Sequence, residues 1–273
     1  MRVAEREQSS PVSELIHIEV GGRALDIEHI FVGSADPEAP LLVFLHEGLG
    51  SVSMWRDFPA RLCEACGVRG LVYSRPGYGR STPRAPNERW ASDFMHREAR
   101  EVLPALLGAL DAPARYMLFG HSDGASIALI HAASFPERVV RAIVLAPHII
   151  VETLSVGSIA AARQAYLHTD LKARLARHHA DVDSAFWGWN DIWLDPAFRH
   201  WSIKALLPEI RCPLLAVQGE HDEYGSMAQV NGIAAAVPAG QCRLLKLAAC
   251  GHSPHRDQPV AVIDAICNFL TIP

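Results

Sequence analysis

Short apolar runs separated by amphipathic segments are the feature that most constrains the fold of this chain. These runs cover residues 41–48, 67–79, 116–122, 138–148, 213–219 and 242–250. Continuous apolar runs are typical of strands buried on both faces, and their alternation with helical patterns indicates a mostly parallel sheet with helices on both sides. Before them, residues 14–34 alternate around Gly21 and Gly22, which predicts a β-hairpin. The predicted fold class is therefore α/β.

The alternation stops between residues 149 and 210, where the sequence predicts helices only. This segment holds four of the six tryptophans of the chain, namely Trp187, Trp189, Trp193 and Trp201. We therefore predict a core domain formed by residues 1–148 and 211–273, with residues 149–210 as a helical cap over one edge of its sheet. A chain of 273 residues, 49% of them hydrophobic, can bury a core of that size.

Charge and hydropathy exclude several classes of partner. The formal net charge is −5, with acidic and basic residues interspersed, so no basic face for nucleic acid is expected. No apolar run approaches the roughly 18 residues that span a bilayer, and no polybasic or lipid-anchor signal is present. Residues 1–14 are polar and charged and lack the apolar stretch of a signal peptide. The expected partner is a small molecule.

Six cysteines are scattered along the chain. Cys63 and Cys66 have C-x-x-C spacing, but they lie within a helical pattern, and no second pair or nearby histidine completes a metal site. Buried or half-buried free thiols are therefore expected rather than a zinc or redox site. Together with the polar N-terminal segment, this favours a cytoplasmic location.

The segment GHSDG, residues 120–124, follows an apolar run and begins a helical one. A tight turn from strand to helix places its central residue in a strained conformation, and glycines two residues away on each side avoid collision with the chain. The hydroxyl of Ser122 would then project above the sheet edge, close to the helix N-terminus, which favours negative charge. We interpret Ser122 as a nucleophile.

A serine hydroxyl needs a base, and the base needs an orienting acid. Both are expected after later strands, in the order serine, acid, histidine. The run PLLAVQG leads into an acidic cluster, in which Asp222 is the predicted acid, Glu223 the alternative and Glu220 a solvated neighbour. The run CRLLKLAAC leads into His252, which directly follows a glycine at the strand end and is preferred to His255.

The tetrahedral intermediate also requires two backbone N–H donors. We assign one to Asp123, which follows the nucleophile, and the other to Leu49 in the loop after the strand at residues 41–48, with Gly48 as the alternative. His46, in the same loop, is expected to hydrogen-bond within it rather than to bind a metal. Aromatic side chains would supply apolar walls for a partly hydrophobic substrate. The predicted substrate-binding residues are Gly48, Trp55, Trp187, Trp189 and Trp193.

These motifs together resemble the α/β-hydrolase superfamily over nearly the whole chain. FLHEGLGS resembles the family's oxyanion loop with Glu47 inserted, and YSRPGYGRS resembles its D-x-R-G-x-G-x-S turn with Ser74 in place of the acid. GHSDG, GEHD and GHSPHRDQP correspond to the nucleophile elbow, the acid loop and the histidine loop. The resemblance implies the triad Ser122, Asp222 and His252, with no metal and no cofactor, and leaves a homodimer open.

The resemblance leaves the substrate open. Acyl transfer to water on a small or medium ester is the expected reaction. Hydrolysis of a C–C bond in a ring-cleavage product is the alternative, and it would require cations such as Arg163 or Lys172 to face the substrate. An aminopeptidase and a binding protein that lacks catalysis are further alternatives. The directions of the Asp123 and Glu47 side chains, which would bring negative charge to the pocket, also remain open.

Overall fold

A computed structural model of the protein describes residues 12–271. The described residues form a sheet of eight strands in the order β1-β2-β4-β3-β5-β6-β7-β8. The strands are β1 (Glu14–Val20), β2 (Arg23–Gly33), β3 (Leu41–Leu45), β4 (Arg69–Tyr73), β5 (Tyr116–His121), β6 (Val139–Leu145), β7 (Leu214–Gly219) and β8 (Cys242–Leu247). Most of the polar N-terminal segment, residues 1–11, and residues 272–273 lie outside the described part.

The sheet is mostly parallel, as the sequence predicts. Strands β4, β3, β5, β6, β7 and β8 run parallel to one another, and among the described strands only the pairs β1–β2 and β2–β4 are antiparallel. The predicted hairpin joins β1 to β2, with Val20 opposite Arg23. Its two turn residues, Gly21 and Gly22, have φ of 57° and 75°, a left-handed conformation that glycine adopts without a steric penalty.

Helices cover both faces of the sheet. They are α1 (Phe58–Cys66), α2 (Phe94–Arg97), α3 (Leu103–Ala109), α4 (Asp123–Ser134), α5 (Thr153–His168), α6 (Leu171–Leu175), α7 (Val182–Leu194), α8 (Ala228–Ala236), α9 (Pro254–Asp257) and α10 (Pro259–Leu270). A π-helical turn, Glu98–Val102, joins α2 to α3. Between β6 and β7 the described chain forms helices, and its one β contact there is an isolated bridge between Ile150 and Ser202.

The alternation of side chains along the central strands creates two cores. In β3, Leu41, Val43 and Leu45 contribute to the core on the face of α3 and α4, whereas Leu42 and Phe44 contribute to the core on the face of α1 and α10. All five side chains are buried. This two-sided burial explains why the strand reads as an unbroken apolar run.

The cysteine prediction is wrong for Cys66. The structure joins Cys66 to Cys267 in a disulfide that links α1 to α10, while Cys63 is a buried free thiol as expected. The two cysteines are 201 residues apart, so only the packing of the two helices on one face of the sheet reveals the pair. Disulfides are typical of oxidising compartments, and the free-thiol argument for a cytoplasmic location therefore loses its support.

Within residues 12–271, none of the helices has both the length and the apolar character that a bilayer span requires.

Candidate active site

The turn around Ser122 has the strained geometry that its sequence predicts. Ser122 lies between β5 and α4 with φ of 54° and ψ of −119°. A Cβ atom on Gly120 would lie 2.4 Å from the carbonyl oxygen of Gly124, and a Cβ on Gly124 would lie 2.1 Å from that of Leu45. Since neither backbone can move aside easily, both positions require glycine. The close approach places the N-terminus of α4 directly behind Ser122.

The structure brings Ser122, His252 and Asp222 into one hydrogen-bonded chain. The Ser122 Oγ lies 2.9 Å from Nε2 of His252, and Nδ1 of the same ring lies 2.8 Å from Oδ1 of Asp222. The three residues follow β5, β8 and β7, so they meet at the carboxyl edge of the parallel sheet. This is the convergence that the three strand ends predict.

The surroundings of Asp222 keep it ionised. Its Oδ1 also accepts hydrogen bonds from the backbone N–H groups of Tyr224 and Gly225, and its Oδ2 accepts one from the Gln218 amide at 2.6 Å. Burial acts to raise the pKa of Asp222, but the hydrogen bonds and the nearby His252 hold it below its ordinary value. A carboxylate at Nδ1 requires a proton on that nitrogen, which leaves Nε2 free to accept the hydroxyl proton of Ser122.

The alternative acids and bases have other contacts. Glu220 is exposed. Glu223 accepts a hydrogen bond from the backbone N–H of His252 at 3.2 Å, and thus supports the histidine loop without reaching its ring. The ring of His255 packs against Trp55 and Phe58, and neither of its nitrogens has a hydrogen-bond partner in the described part of the chain.

Hydrogen bonds hold the loop after β3 in place. His46 donates from Nδ1 to the carbonyl oxygen of Glu47 at 2.7 Å and accepts at Nε2 from the backbone N–H of Arg75 at 3.0 Å. The carbonyl oxygen of Leu49 accepts a bond from Nε2 of His179. His46 therefore stabilises the loop, as predicted. Leu49 and Asp123 both line the same cavity as Ser122.

The cavity around Ser122 has a volume of about 580 Å³ including its open mouth. Its apolar wall consists of Leu49, Ile159, Trp189, Trp193 and Tyr224. Gly48 also lines it, because a Cβ there would lie 2.1 Å from Nε1 of Trp189. The indole thus closes over the glycine of the loop after β3.

Two of the predicted substrate-binding residues, Trp55 and Trp187, lie outside the lining of this cavity. Trp55 is buried in the core between the sheet and α1, where it packs against Phe44 and Phe119, and it does not line the cavity. Trp187 packs against Tyr166 on another side of α7. Because each residue of a helix is rotated by about 100° from the last, positions 189 and 193 share a face and position 187 does not.

The two acidic side chains near the nucleophile are both engaged. Asp123 accepts a hydrogen bond from Nε1 of Trp193 at 3.2 Å, and its other oxygen lies 3.9 Å from Nη2 of Arg75. Burial raises the pKa of Asp123 to about 6, against the charge of Arg75. Burial acts on Glu47 in the same direction, but His121 and Arg256 lower its pKa well below the ordinary value. Neither carboxylate is therefore a free anion in the cavity.

The cavity residues that the sequence did not predict include His148, Tyr224 and Arg256. The ring of Tyr224 lies 4.7 Å from that of His252, and Arg256 reaches Oε1 of Glu47 at 3.3 Å. The sequence could have indicated His148, since this residue follows β6 at the same edge of the sheet as Ser122, Asp222 and His252. No comparable pattern marks the other two.

A second cleft, of about 870 Å³ including its open mouth, lies beside the hairpin and residues 75–102. Arg75 and Glu98 line it, and no triad residue does. Glu98 lies at the start of the π-helical turn and is buried, where it accepts a hydrogen bond from the hydroxyl of Tyr73. Burial raises the pKa of Glu98 to about 7, although the nearby Arg75 opposes the shift.

The raised pKa of Glu98 predicts a stability that falls with pH. The unfolded state loses its proton from about pH 4.5, but the folded state keeps it until about pH 7, so the free energy of unfolding falls by on the order of 3 kcal/mol across that window and then levels off. Glu98→Gln removes this titration. Urea unfolding measures this: between pH 4 and 8, the free energy of unfolding of the variant should rise relative to that of the wild type by that amount.

Glu101, an exposed acid on the same turn, provides the control. Glu101→Gln should reproduce the wild-type dependence on pH. If the free energy of unfolding of the wild type and of Glu98→Gln changed in parallel with pH, the raised pKa of Glu98 would be contradicted.

Comparison with known proteins decides the family. Residues 42–265 match the model of the alpha/beta hydrolase family. The chain belongs to this family. Among curated proteins it is 33% identical to protein phosphatase methylesterase 1 of Bos taurus over 97 residues, which are 36% of this chain and 24% of that protein. The chain therefore matches about a quarter of the length of this relative.

Solved structures of alpha/beta hydrolases share the fold over nearly the whole chain. A proline iminopeptidase of Mycobacterium smegmatis superposes with a TM-score of 0.74 at 19% identity, covering 94% of this chain and 97% of its own. An enol-lactonase of Burkholderia xenovorans superposes with a TM-score of 0.73 at 22% identity, covering 94% and 100%. At these identities the likeness concerns the fold alone. Among the described residues, no cluster of histidine, cysteine and acidic side chains is arranged to hold a metal ion.

Proposed function

We propose that this alpha/beta hydrolase is a serine hydrolase that cleaves a small or medium, partly hydrophobic carboxylic ester through an acyl-enzyme. The observation that carries the proposal is the chain of hydrogen bonds from Ser122 through His252 to Asp222, at 2.9 and 2.8 Å. The name of the curated relative, a methylesterase, agrees with an ester substrate.

The mechanism follows from the hydrogen bonds that connect Ser122, His252 and Asp222. Oγ of Ser122 attacks the ester carbonyl carbon while Nε2 of His252 takes its proton, and the carboxylate of Asp222 stabilises the imidazolium that forms. The developing oxyanion is assigned to the backbone N–H groups of Leu49 and Asp123. Collapse breaks the C–O bond as His252 gives the proton to the leaving alcohol. Water then releases the acid by the same steps, with His252 as the base.

The helices between β6 and β7 are proposed to act as a lid, formed by residues 149–210. Ile159 on α5 and Trp189 and Trp193 on α7 contribute apolar wall to the cavity. A lid of this kind keeps bulk water from the acyl-enzyme and provides area for an apolar substituent of the ester. This division leaves residues 1–148 and 211–273 as the core.

Ester hydrolysis is preferred to C–C bond hydrolysis because the cations proposed for a substrate carboxylate face elsewhere. Arg163 binds Asn190 and Asp191, and Lys172 pairs with Asp183. Neither lines the cavity, and Arg256, a cation that does, is paired with Oε1 of Glu47 at 3.3 Å. An aminopeptidase is less favoured because Asp123 already holds Trp193 and lies beside Arg75, so that its carboxylate is not free for an amine.

A fluorophosphonate probe tests the proposal, since it labels a serine only when a base activates it. We expect one adduct, located at Ser122 by peptide mass spectrometry, and no adduct in Ser122→Ala. p-Nitrophenyl esters of increasing chain length, assayed beside a ring-cleavage dienoate, measure the substrate class. Rapid turnover of the dienoate with feeble ester turnover would favour the C–C hydrolase instead, and an unlabelled Ser122 would favour a binding protein.

A further inference from the structure

His148 is a cavity residue to which the proposed mechanism gives no task. It follows β6, at the same edge of the sheet as Ser122, and it lines the cavity around the nucleophile. Its backbone is fixed on both sides by Ser126 of α4. The N–H of His148 donates to Oγ of Ser126 at 3.1 Å, and the Ser126 hydroxyl donates to the carbonyl oxygen of His148 at 2.7 Å. The ring therefore has a defined place.

One nitrogen of the His148 imidazole lacks a polar contact within residues 12–271. Only 2% of His148 is exposed, and Nδ1 has no hydrogen-bond partner among the described residues. The ring packs edge-on against Trp193, with centroids 4.9 Å apart, and a Cβ on Gly225 would lie 3.5 Å from its Cε1. Burial lowers the pKa of His148 to about 3, and the nearby His252 adds to that effect. The ring is therefore neutral at ordinary pH.

A buried polar group without a partner costs free energy, on the order of 1–3 kcal/mol. An apolar residue in this place would pack against Trp193 without that cost. A neutral imidazole carries one donor and one acceptor, so it matches a hydroxyl or a carbonyl group. Because it carries no charge, it gives a carboxylate no electrostatic preference.

We infer that His148 is a specificity-determining residue that hydrogen-bonds an uncharged polar substituent of the ester, a hydroxyl or a keto group close to the scissile carbonyl. This inference rests on the proposed ester hydrolase. The ring centroids of His148 and His252 are 5.9 Å apart. The carbonyl carbon that Ser122 attacks lies near His252, because the Ser122 Oγ is 2.9 Å from Nε2 of that ring. A polar oxygen three bonds from that carbon, at roughly 1.5 Å a bond, can therefore extend toward His148. Esters of 3-hydroxy and 3-oxo acids are the substrate class that fits.

Matched esters test the inference. Ethyl butanoate, the two enantiomers of ethyl 3-hydroxybutanoate and ethyl 3-oxobutanoate differ only in the polar substituent, and hydrolysis of each is followed by pH-stat. The readout is the ratio of kcat/KM for the substituted ester to that for the plain ester. In His148→Phe, which keeps an aromatic ring but cannot hydrogen-bond, this ratio should fall about tenfold. His148→Gln, which keeps a donor and an acceptor, should recover part of it.

Two controls separate specificity from general damage. His96 also has a buried Nδ1 without a partner in the described chain, and it packs near Trp201 rather than in the cavity. His96→Phe should leave the ratio as in the wild type. The rate of fluorophosphonate labelling at Ser122 reports whether each variant keeps a folded, activated nucleophile. If His148→Phe does not fold, the ratio in His148→Gln and His148→Ala decides.

The outcomes distinguish this inference from the proposed function. Equal ratios in the wild type and the position-148 variants, with Ser122 labelled and ethyl butanoate hydrolysed, would overturn the role of His148 and leave the esterase standing. If the wild type neither reacted with the fluorophosphonate probe nor hydrolysed any ester, both the proposed ester hydrolysis and this inference would be overturned. A ratio that falls in His96→Phe as well would also overturn the role.

Discussion

Ser122→Ala is expected to lower kcat for the preferred ester by about 10⁵–10⁶-fold, because the triad works as a unit and without its nucleophile no acyl-enzyme forms. His252→Ala should cost about as much, since an unactivated serine hydroxyl is a poor nucleophile. Single-turnover and steady-state assays on a p-nitrophenyl ester measure both losses.

Ser122→Ala combined with His252→Ala should lose hardly more than either single change. The two groups transfer one proton between atoms 2.9 Å apart, and removing one partner already abolishes that step. Losses that multiply in the double variant would show that the residues act in separate steps, and the proposed mechanism would then be wrong.

Asp222→Asn is expected to lower kcat by about 10⁴-fold with little change in KM. The amide keeps the shape of the carboxylate but can donate a hydrogen bond to Nδ1 of His252, which would move the ring proton to Nε2 and leave no acceptor for the Ser122 hydroxyl. The loss should persist over the whole pH range, because the pKa of Asp222 is held low and the carboxylate does not titrate near neutrality. Steady-state kinetics from pH 5 to 9 measure this.

The neighbouring acids provide the comparison. Glu220 is exposed in the same loop, and Glu220→Gln should leave kcat near the wild-type value. Glu223 accepts the backbone N–H of His252, so Glu223→Gln should cost no more than about tenfold. If Glu223→Gln lowered kcat as much as Asp222→Asn does, the assignment of Asp222 as the acid of the triad would be wrong.

Sequence reasoning reached the fold because local patterns encode it. Each buried strand is a continuous apolar run, and the hairpin turns at two glycines that adopt left-handed conformations. The strained turn at Ser122 is local on the side of Gly120, which contacts Gly124 and Ala125, whereas Gly124 contacts Leu45 at the end of the adjacent strand. Order along the chain then indicated which loops would meet at the carboxyl edge.

Side-chain directions across the cavity were beyond the same reasoning. The sequence does not distinguish the tryptophans that line the cavity, Trp189 and Trp193, from Trp55 and Trp187, which do not. The difference depends on the rotation of α7 against the core and on the packing of Trp55 against the sheet. The predicted division at residues 149–210 concerns the same helices and remains a proposal.

The sequence by itself determined the α/β class, the turn around Ser122 and the strand ends that carry Asp222 and His252. These features depend on hydrophobic periodicity and on sterics between residues near one another in the chain. Only the tertiary structure paired Cys66 with Cys267 and left the ring of His148 unpartnered in the cavity. Such contacts join residues that are remote in sequence, and the packing of helices on the sheet decides them.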